Sequence, residues 1–550
     1  MRKVKNSSEV KTCERLKFAA SAKLWRGKFI LSEKPLIFAR EASGLTREIG
    51  PWSVLFFPLK ASINPWYFLL IAIMPFMFPG ANIVISFLLA GIVVIIYGVA
   101  LALQCVCMPR AGANYVVIAR GLHPLFGMME GWRAIIWNPI ANATCSFLAA
   151  GFLTTALLAM GALLHDPGLS AAGQAIASRE ATIAVALVLV VVGGLIDFFG
   201  AGTLKRSMVI LSGITIIGTL MMIGTFLAHP AASVPAAWDS VWGSGAYNEI
   251  VNVARANGWK PAAFSWDATI GCVLVARGFL YPDNVSPLTG EMSSPTRTIM
   301  VGIGFSGVLL ALFAVGASGS LMYSYGDFVS MYNFVASGYA SQLTLNPGLS
   351  PNLSVFAASL TPNLTLSSIM LLIPFISIIG LIPHGYFWTT RPMFAMAFDR
   401  YMPKTMAYVS PRWHVPTHSW IYCFLMQVIF VVVAAFYPII LSVGLFILGT
   451  LLVIWWSLSA VTLPFQRPRI YERGFKWEIA GFPVMAIIGF VSAVLQYLIL
   501  YTGVATVNTM SIYMTVAVMG LGILGYMTFS YRNRKMGLEP EKIFSEVPPE

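Results

Sequence analysis

The sequence predicts an all-α, polytopic membrane protein of about twelve transmembrane helices, and three observations carry that expectation. Of its 550 residues, 57% are hydrophobic and 10% are charged, whereas a soluble domain carries roughly 25% charged residues. Apolar stretches recur along the whole chain, each meeting the requirement of about 20 residues for a bilayer-crossing helix. They fall at 51–78, 82–107, 125–160, 181–200, 207–229, 267–289, 299–323, 366–390, 417–437, 439–463, 478–502 and 509–530. The third observation is charge placement. The net charge is +13, but lysine and arginine gather on alternate connections, which argues for a membrane and its lipids as the partner and against nucleic acid. By the positive-inside rule both termini are expected in the cytoplasm, with the chain multi-pass in the plasma membrane.

The basic segment 1–50 comes first. Its stretch RLKFAASAKLWRGKFI has a spacing that could lay a helix on the inner leaflet, or belong to a partly ordered tail. The first span, PWSVLFFPLKASINPWYFLLIAIMPFMFP, is interrupted near its middle by Lys60, Ala61, Ser62, Ile63, Asn64 and Pro65. Proline removes an amide donor and disfavours the helical conformation of the residue before it. Freed backbone groups are tolerated in a membrane only where protein or a cavity surrounds them. A broken helix is therefore expected here.

The third span carries Asn138 and Asn142, either as coupling or gating groups or as helix-to-helix hydrogen bonders. Asp197 is expected to pair with Lys205 and Arg206. The connection 230–266 holds Trp238, Trp242, Trp259 and Trp266, which suits a segment lying at the membrane interface. The sixth span reads WDATIGCVLVARGFLYPDNVSPLTGE, where Arg277 sits mid-span and Gly278, Pro282, Asp283, Asn284 and Pro287 cannot continue a regular apolar helix. Two breaks five spans apart mark an inverted repeat, with discontinuous helices meeting near mid-bilayer. The expected divisions are a cytoplasmic segment 1–50, a first repeat 51–229, an external loop 230–266, a second repeat 267–463, two extra helices over 464–530, and a solvated cytoplasmic tail 531–550.

Three segments carry a family resemblance. Pro109, Gly112, Tyr115, Arg120, Gly127 and the pair Gly131-Trp132 form the first; GEMSSPTRTI from Gly290 is the second; TRPMFAMAFDRYMPKTMAYVSPRWHVPTHS from Thr390 is the third. In order and spacing they resemble the loops after the second, sixth and eighth helices of the amino acid–polyamine–organocation transporter superfamily. The resemblance covers about residues 40 to 530. It implies a secondary transporter in which the first and sixth breaks bind substrate. It also implies that sodium coupling would need hydroxyl ligands in the eighth helix; none stands around 379–386, so proton coupling or exchange is expected.

The residues themselves support a solute site at those breaks. A cation at mid-bilayer is costly unless it faces a partner or a wet cavity, and Lys60 and Arg277 each stand beside a break. Exposed amides at a half-helix N-terminus attract a carboxylate, and exposed carbonyls at a C-terminus attract a cation. The expected substrate-binding set is Lys60, Ala61, Ser62, Ile63, Asn64, Pro65, Arg277, Gly278, Phe279 and Tyr281, for an amino acid, amine or organic acid. Lys60, Asp283, His384, Asn138 and Asn142 are the candidates for coupling or gating. The alternatives are a structural pair of Lys60 with an acid such as Asp283, a snorkelling or carbonyl-capping Arg277, and a packing His384.

No metal and no cofactor is expected: Pro416 spoils the helix that would join His414 to His418. HExxH, GxSxG and GxxxxGK[ST] are absent from the sequence, which argues against a zinc protease, a serine hydrolase and an ATP-driven pump. A non-transporting sensor or channel of the same fold remains the alternative to a transporter.

Overall fold

The computed structural model describes residues 44–345, 349–437, 446–504 and 509–547. The stretch 15–30 and the start of the span expected at 439 lie outside the described residues. Among the described residues, apart from one small antiparallel pair, Glu478–Ile479 with Phe482–Pro483, the regular structure is helical.

The first span is two helices, α1 (Phe56–Ser62) and α2 (Pro65–Met77), bent by 42° at their junction. Next come α3 (Ile83–Cys107) and a short α4 (Ala113–Gly121) in the following connection. The chain continues through α5 (Pro124–Leu164), α6 (Arg179–Phe198) and α7 (Gly200–Ala228). Helix α5 has 41 residues rather than a single bilayer's worth, a length of about 60 Å at 1.5 Å per residue.

The connection 230–266 folds into α8 (Val234–Trp242) and α9 (Ala246–Ala256). Its four tryptophans differ in their surroundings. Trp238 is fully buried among Tyr325, Phe328, Tyr332 and Phe356, its ring 5.1 Å from Phe328. Trp242 and Trp259 donate to the hydroxyls of Ser359 and Ser330, and Trp266 alone of the four is largely exposed.

Then follow α10 (Trp266–Arg277), a 3-10 run Pro282–Glu291, α11 (Pro295–Tyr325) and α12 (Phe328–Gly338). After α13 (Leu364–Phe398) come α14 (Thr417–Phe436), α15 (Phe446–Gln466), α16 (Val484–Gly503) and α17 (Thr509–Lys535). Among the described residues, ten helices are long and apolar enough to cross a membrane, or eleven when α1 and α2 count as one. The stretch expected as a sixth span is a 12-residue helix and a 3-10 run, not one continuous helix.

Helix α5 packs along α13, with α6 and α14 beside them. Their shared core joins Cys145, Ala149 and Phe152 to Leu189, Ile378, Ile382, Tyr386 and Cys423. Small residues permit this approach, as membrane helices require: a Cβ on Gly193 would stand 2.4 Å from Ile382. The Tyr386 hydroxyl then reaches the Val190 carbonyl at 2.9 Å.

At the basic end of the bundle, two further expectations are corrected. Asp197 pairs with Arg391 at 3.0 Å, while Lys205 donates instead to the Glu48 carbonyl at 3.0 Å. The stretch after Tyr531 is not simply solvated: α17 continues to Lys535, and Ile543 and Phe544 are buried.

Candidate functional site

Each break is built by its own local chemistry. At the first, Pro65 opens α2 and Asn64 caps it, its Oδ1 accepting the amides of Trp66 at 2.8 Å and Tyr67 at 3.3 Å. The other half of the same amide faces backwards. Asn64 Nδ2 donates at 2.6 Å to the Ala61 carbonyl, so one side chain satisfies backbone groups freed on both sides of the interruption, as caps do at helix ends.

At the second break, α10 stops at Arg277 and the chain turns through Gly278, Phe279, Leu280 and Tyr281 before Pro282. The ten-residue 3-10 run that follows is long for that geometry, and prolines at 282 and 287 keep it from adopting the α-helical bonding pattern. Tyr97 of α3 points its hydroxyl at two acceptors there, Leu280 O at 3.1 Å and Asp283 Oδ1 at 2.7 Å. Phe279 is buried against Phe87 and Tyr67, with ring centroids 5.5 Å and 6.3 Å apart.

The two breaks touch. The Tyr281 amide donates to Ser62 Oγ at 2.8 Å, a direct bond between the unwound part of the sixth segment and the end of α1. Residues 60–64 are all buried, as are Arg277, Gly278 and Phe279, whereas Tyr281 is partly open.

The two cations lie in separate surroundings. Lys60 donates to Thr215 Oγ1 of α7 at 3.3 Å, and its stem runs across α13, where a Cβ on Gly380 would stand 2.2 Å from Cε. Its bond is thus to a hydroxyl, not to Asp283. The guanidinium of Arg277 stacks 5.1 Å over the Tyr97 ring, and its Nε is buried with no hydrogen-bond partner. Only 3% exposed, Arg277 does not snorkel to the surface. Among the described residues no ion pair includes it, and no carbonyl accepts from it.

Of the coupling candidates, His384 stands between two carbonyls, Leu381 O at 3.1 Å from Nδ1 and Phe57 O at 3.3 Å from Nε2. Asn138 donates to Trp388 O at 2.9 Å, and Asn142 donates to Ile382 O at 2.7 Å and to Gln427 Oε1 at 2.8 Å. Both amides hold α5 to α13 or α14. Tyr97, Thr215 and Gly380 were not singled out from sequence. A tyrosine, a threonine and a glycine in apolar helices give no signal until their facing residues are known.

Towards the basic end the breaks are backed by buried ion pairs. Arg391 at the end of α13 bridges Asp197 of α6 and Glu291 at the close of the 3-10 run, at 3.0 and 2.9 Å. Arg120 of α4 pairs with Asp399 at 2.8 Å, and the Tyr115 hydroxyl donates to the same carboxylate at 3.0 Å. In the connection just before α4, burial, and then the neighbouring Arg47, Arg473 and Arg120, push the Arg110 guanidinium down to about 10.

A helical bundle of this apolarity, with one bent span and a second interrupted segment bonded to it, defines a multi-pass membrane protein. Comparison with known proteins places it more narrowly. A family model described as "Amino acid permease" matches residues 63–536, and the chain belongs to the amino acid permease family. It is also similar to the branched-chain amino acid permease BcaP of Lactococcus lactis subsp. cremoris (strain MG1363), with 23% identity over 433 residues, covering 76% of this chain and 82% of the relative. The protein is therefore an amino acid transporter.

Proposed function

We propose that the protein is a secondary active transporter that moves amino acids across the plasma membrane by alternating access around its two meeting breaks. In this reading both termini are cytoplasmic, spans one to five and six to ten form an inverted repeat, and two helices follow. The observation that supports it most is the bond from the Tyr281 amide to Ser62 Oγ. It sets two interrupted segments against each other in a chain whose family moves amino acids, the arrangement from which discontinuous-helix transporters build a solute site.

The chemistry follows from what each group is free to do. Asn64 already satisfies backbone groups on both sides of its break, so it shapes the site. Arg277, for which no hydrogen bond is found among the described residues, supplies the counter-charge for a solute carboxylate, and the unwound backbone at Gly278 and Phe279 receives the rest of the main chain. Lys60 takes the place of a coupling cation between α1, α7 and α13. Asp283 and His384 are the groups placed to hold a proton. Both His384 nitrogens face carbonyl oxygens, and a neutral imidazole has one N–H to donate. The relative's name points to leucine, isoleucine and valine as the first solutes to test.

The experiment is uptake of labelled leucine into proteoliposomes holding the purified protein, with and without an imposed inward proton gradient. Accumulation driven by the gradient is expected. Binding without flux identifies a sensor instead, and flux that never accumulates against a gradient identifies a channel or an exchanger. Lys60→Ala is expected to abolish coupled accumulation while the protein still folds, since it removes a buried charge whose bond is to a single hydroxyl. Unaltered kinetics and pH dependence in that variant remove Lys60 from the coupling machinery.

A further inference from the structure

Beyond Lys535 the chain turns sharply at Gly537, which has a positive φ of 73°, and Leu538 N returns to Asn533 O at 2.9 Å. That turn sends the last residues back onto the basic end. Phe544 is fully buried, its ring 5.2 Å from Tyr401 just past α13, and Ile543 is 1% exposed. Arg120 of α4 lies 5.5 Å over the Phe544 ring and donates from Nε to the Glu546 carbonyl at 2.8 Å. The same guanidinium forms the ion pair with Asp399. The terminal segment thus covers the pair that joins α4 to the end of α13.

Its hold is slight compared with what it covers. The pairs Lys542–Glu539 and Arg534–Glu541 are solvent-exposed, and such pairs contribute little. What remains among the described residues is three small buried contacts, Pro540, Ile543 and Phe544, and one charge-assisted backbone bond. Elements held by few buried contacts open locally while the rest stays folded. Arg120 and Asp399 side chains, by contrast, are both fully buried. A charge pair kept from water is stronger than a wetted one, so removing the cover weakens the link from α4 to α13.

We propose that residues 538–547 are a releasable strap that keeps the Arg120–Asp399 pair dry and holds the basic end of the bundle closed. Its release admits water to the pair and frees α4 from the end of α13. A partner or modification that captures Phe544 or the exposed charges around it would then promote opening at that end.

The test does not depend on the transported solute. A protease site inserted after Gly537 allows the tail to be cut from full-length protein that has already folded, and Phe544→Asp is the second variant. Hydrogen exchange read by mass spectrometry is compared before and after cleavage. Amides of 113–121 and 396–401 are expected to exchange about tenfold faster, the factor matching loss of about one charge-assisted hydrogen bond, with the helices elsewhere unchanged. Unchanged exchange in both segments overturns the proposal. So does a loss of protection spread over the whole bundle, because the tail would then be a structural anchor.

Discussion

At the scale of single residues, Asn64 and Gly380 show how little room the first break leaves. Replacing Asn64 by alanine removes the cap of α2 and strands the Ala61 carbonyl. Losing a cap costs about 1 kcal/mol and leaving a buried acceptor unpaired about 1–3 kcal/mol, so a clear drop in melting temperature is expected. Asn64→Asp keeps the acceptor and loses the donor, and should fall between wild type and Asn64→Ala; equal melting for all three would show that the side chain does not bridge the break. Gly380 is a different case, because what a new Cβ meets first is the flexible stem of Lys60, with Leu211 Cβ next at 3.1 Å. Gly380→Ala should push the ammonium away from Thr215 without unfolding the protein. Its transport and pH profile should then resemble those of Lys60→Ala, and the double variant should be no worse than either single one, the mark of two residues acting on one interaction. Additive losses would separate them.

At the scale of the element, the two interruptions differ in how they are made, and that decides how much of each was legible. The first is written locally: Asn64-Pro65 inside an apolar run predicts the break, and the structure bends there, while the cap that Asn64 forms on α2 emerges only from the structure. The second was expected from Arg277, Pro282 and Pro287, but the ten-residue 3-10 run was not, because its geometry is also set by contacts from distant elements. Tyr97 and Trp388 bond it from α3 and α13, and neither announces itself in sequence. The contact between the breaks was anticipated as a meeting of segments, yet not as one hydroxyl and one amide. Ser62→Ala leaves the part-buried Tyr281 amide without its acceptor, at a cost below the roughly 1–3 kcal/mol of a fully buried donor, whereas Ser62→Thr retains the oxygen. The alanine variant should melt lower and bind solute more weakly, and threonine should restore both; a threonine variant as impaired as alanine would mean that side-chain volume, not the bond, matters there.

For the whole molecule, long-range charge pairing lay furthest from what sequence could reveal. Asp197 has lysine and arginine within a few turns of chain, so proximity favoured Lys205 and Arg206. It pairs instead with Arg391, 194 positions away, and Glu291 reaches the same guanidinium across 100 positions. Such a triad ties α6, the end of the sixth segment and α13 into one unit at the basic end. Both carboxylates and the guanidinium are essentially fully buried. Removing one member of a buried pair costs about 3–5 kcal/mol, because the partner charge is left unpaired, while replacing all members by neutral groups often costs far less. Arg391→Met should therefore be severely destabilised, since it strands two carboxylates at once. Adding Asp197→Asn and Glu291→Gln to it should recover most of the lost melting temperature, because no uncompensated charge remains. If the triple variant were as unstable as Arg391→Met, the contribution of the triad would lie in its hydrogen-bond geometry and not in charge balance. If it regained stability but bound solute without transporting it, the triad would belong to the motion between states, consistent with its place where the sixth segment meets α13.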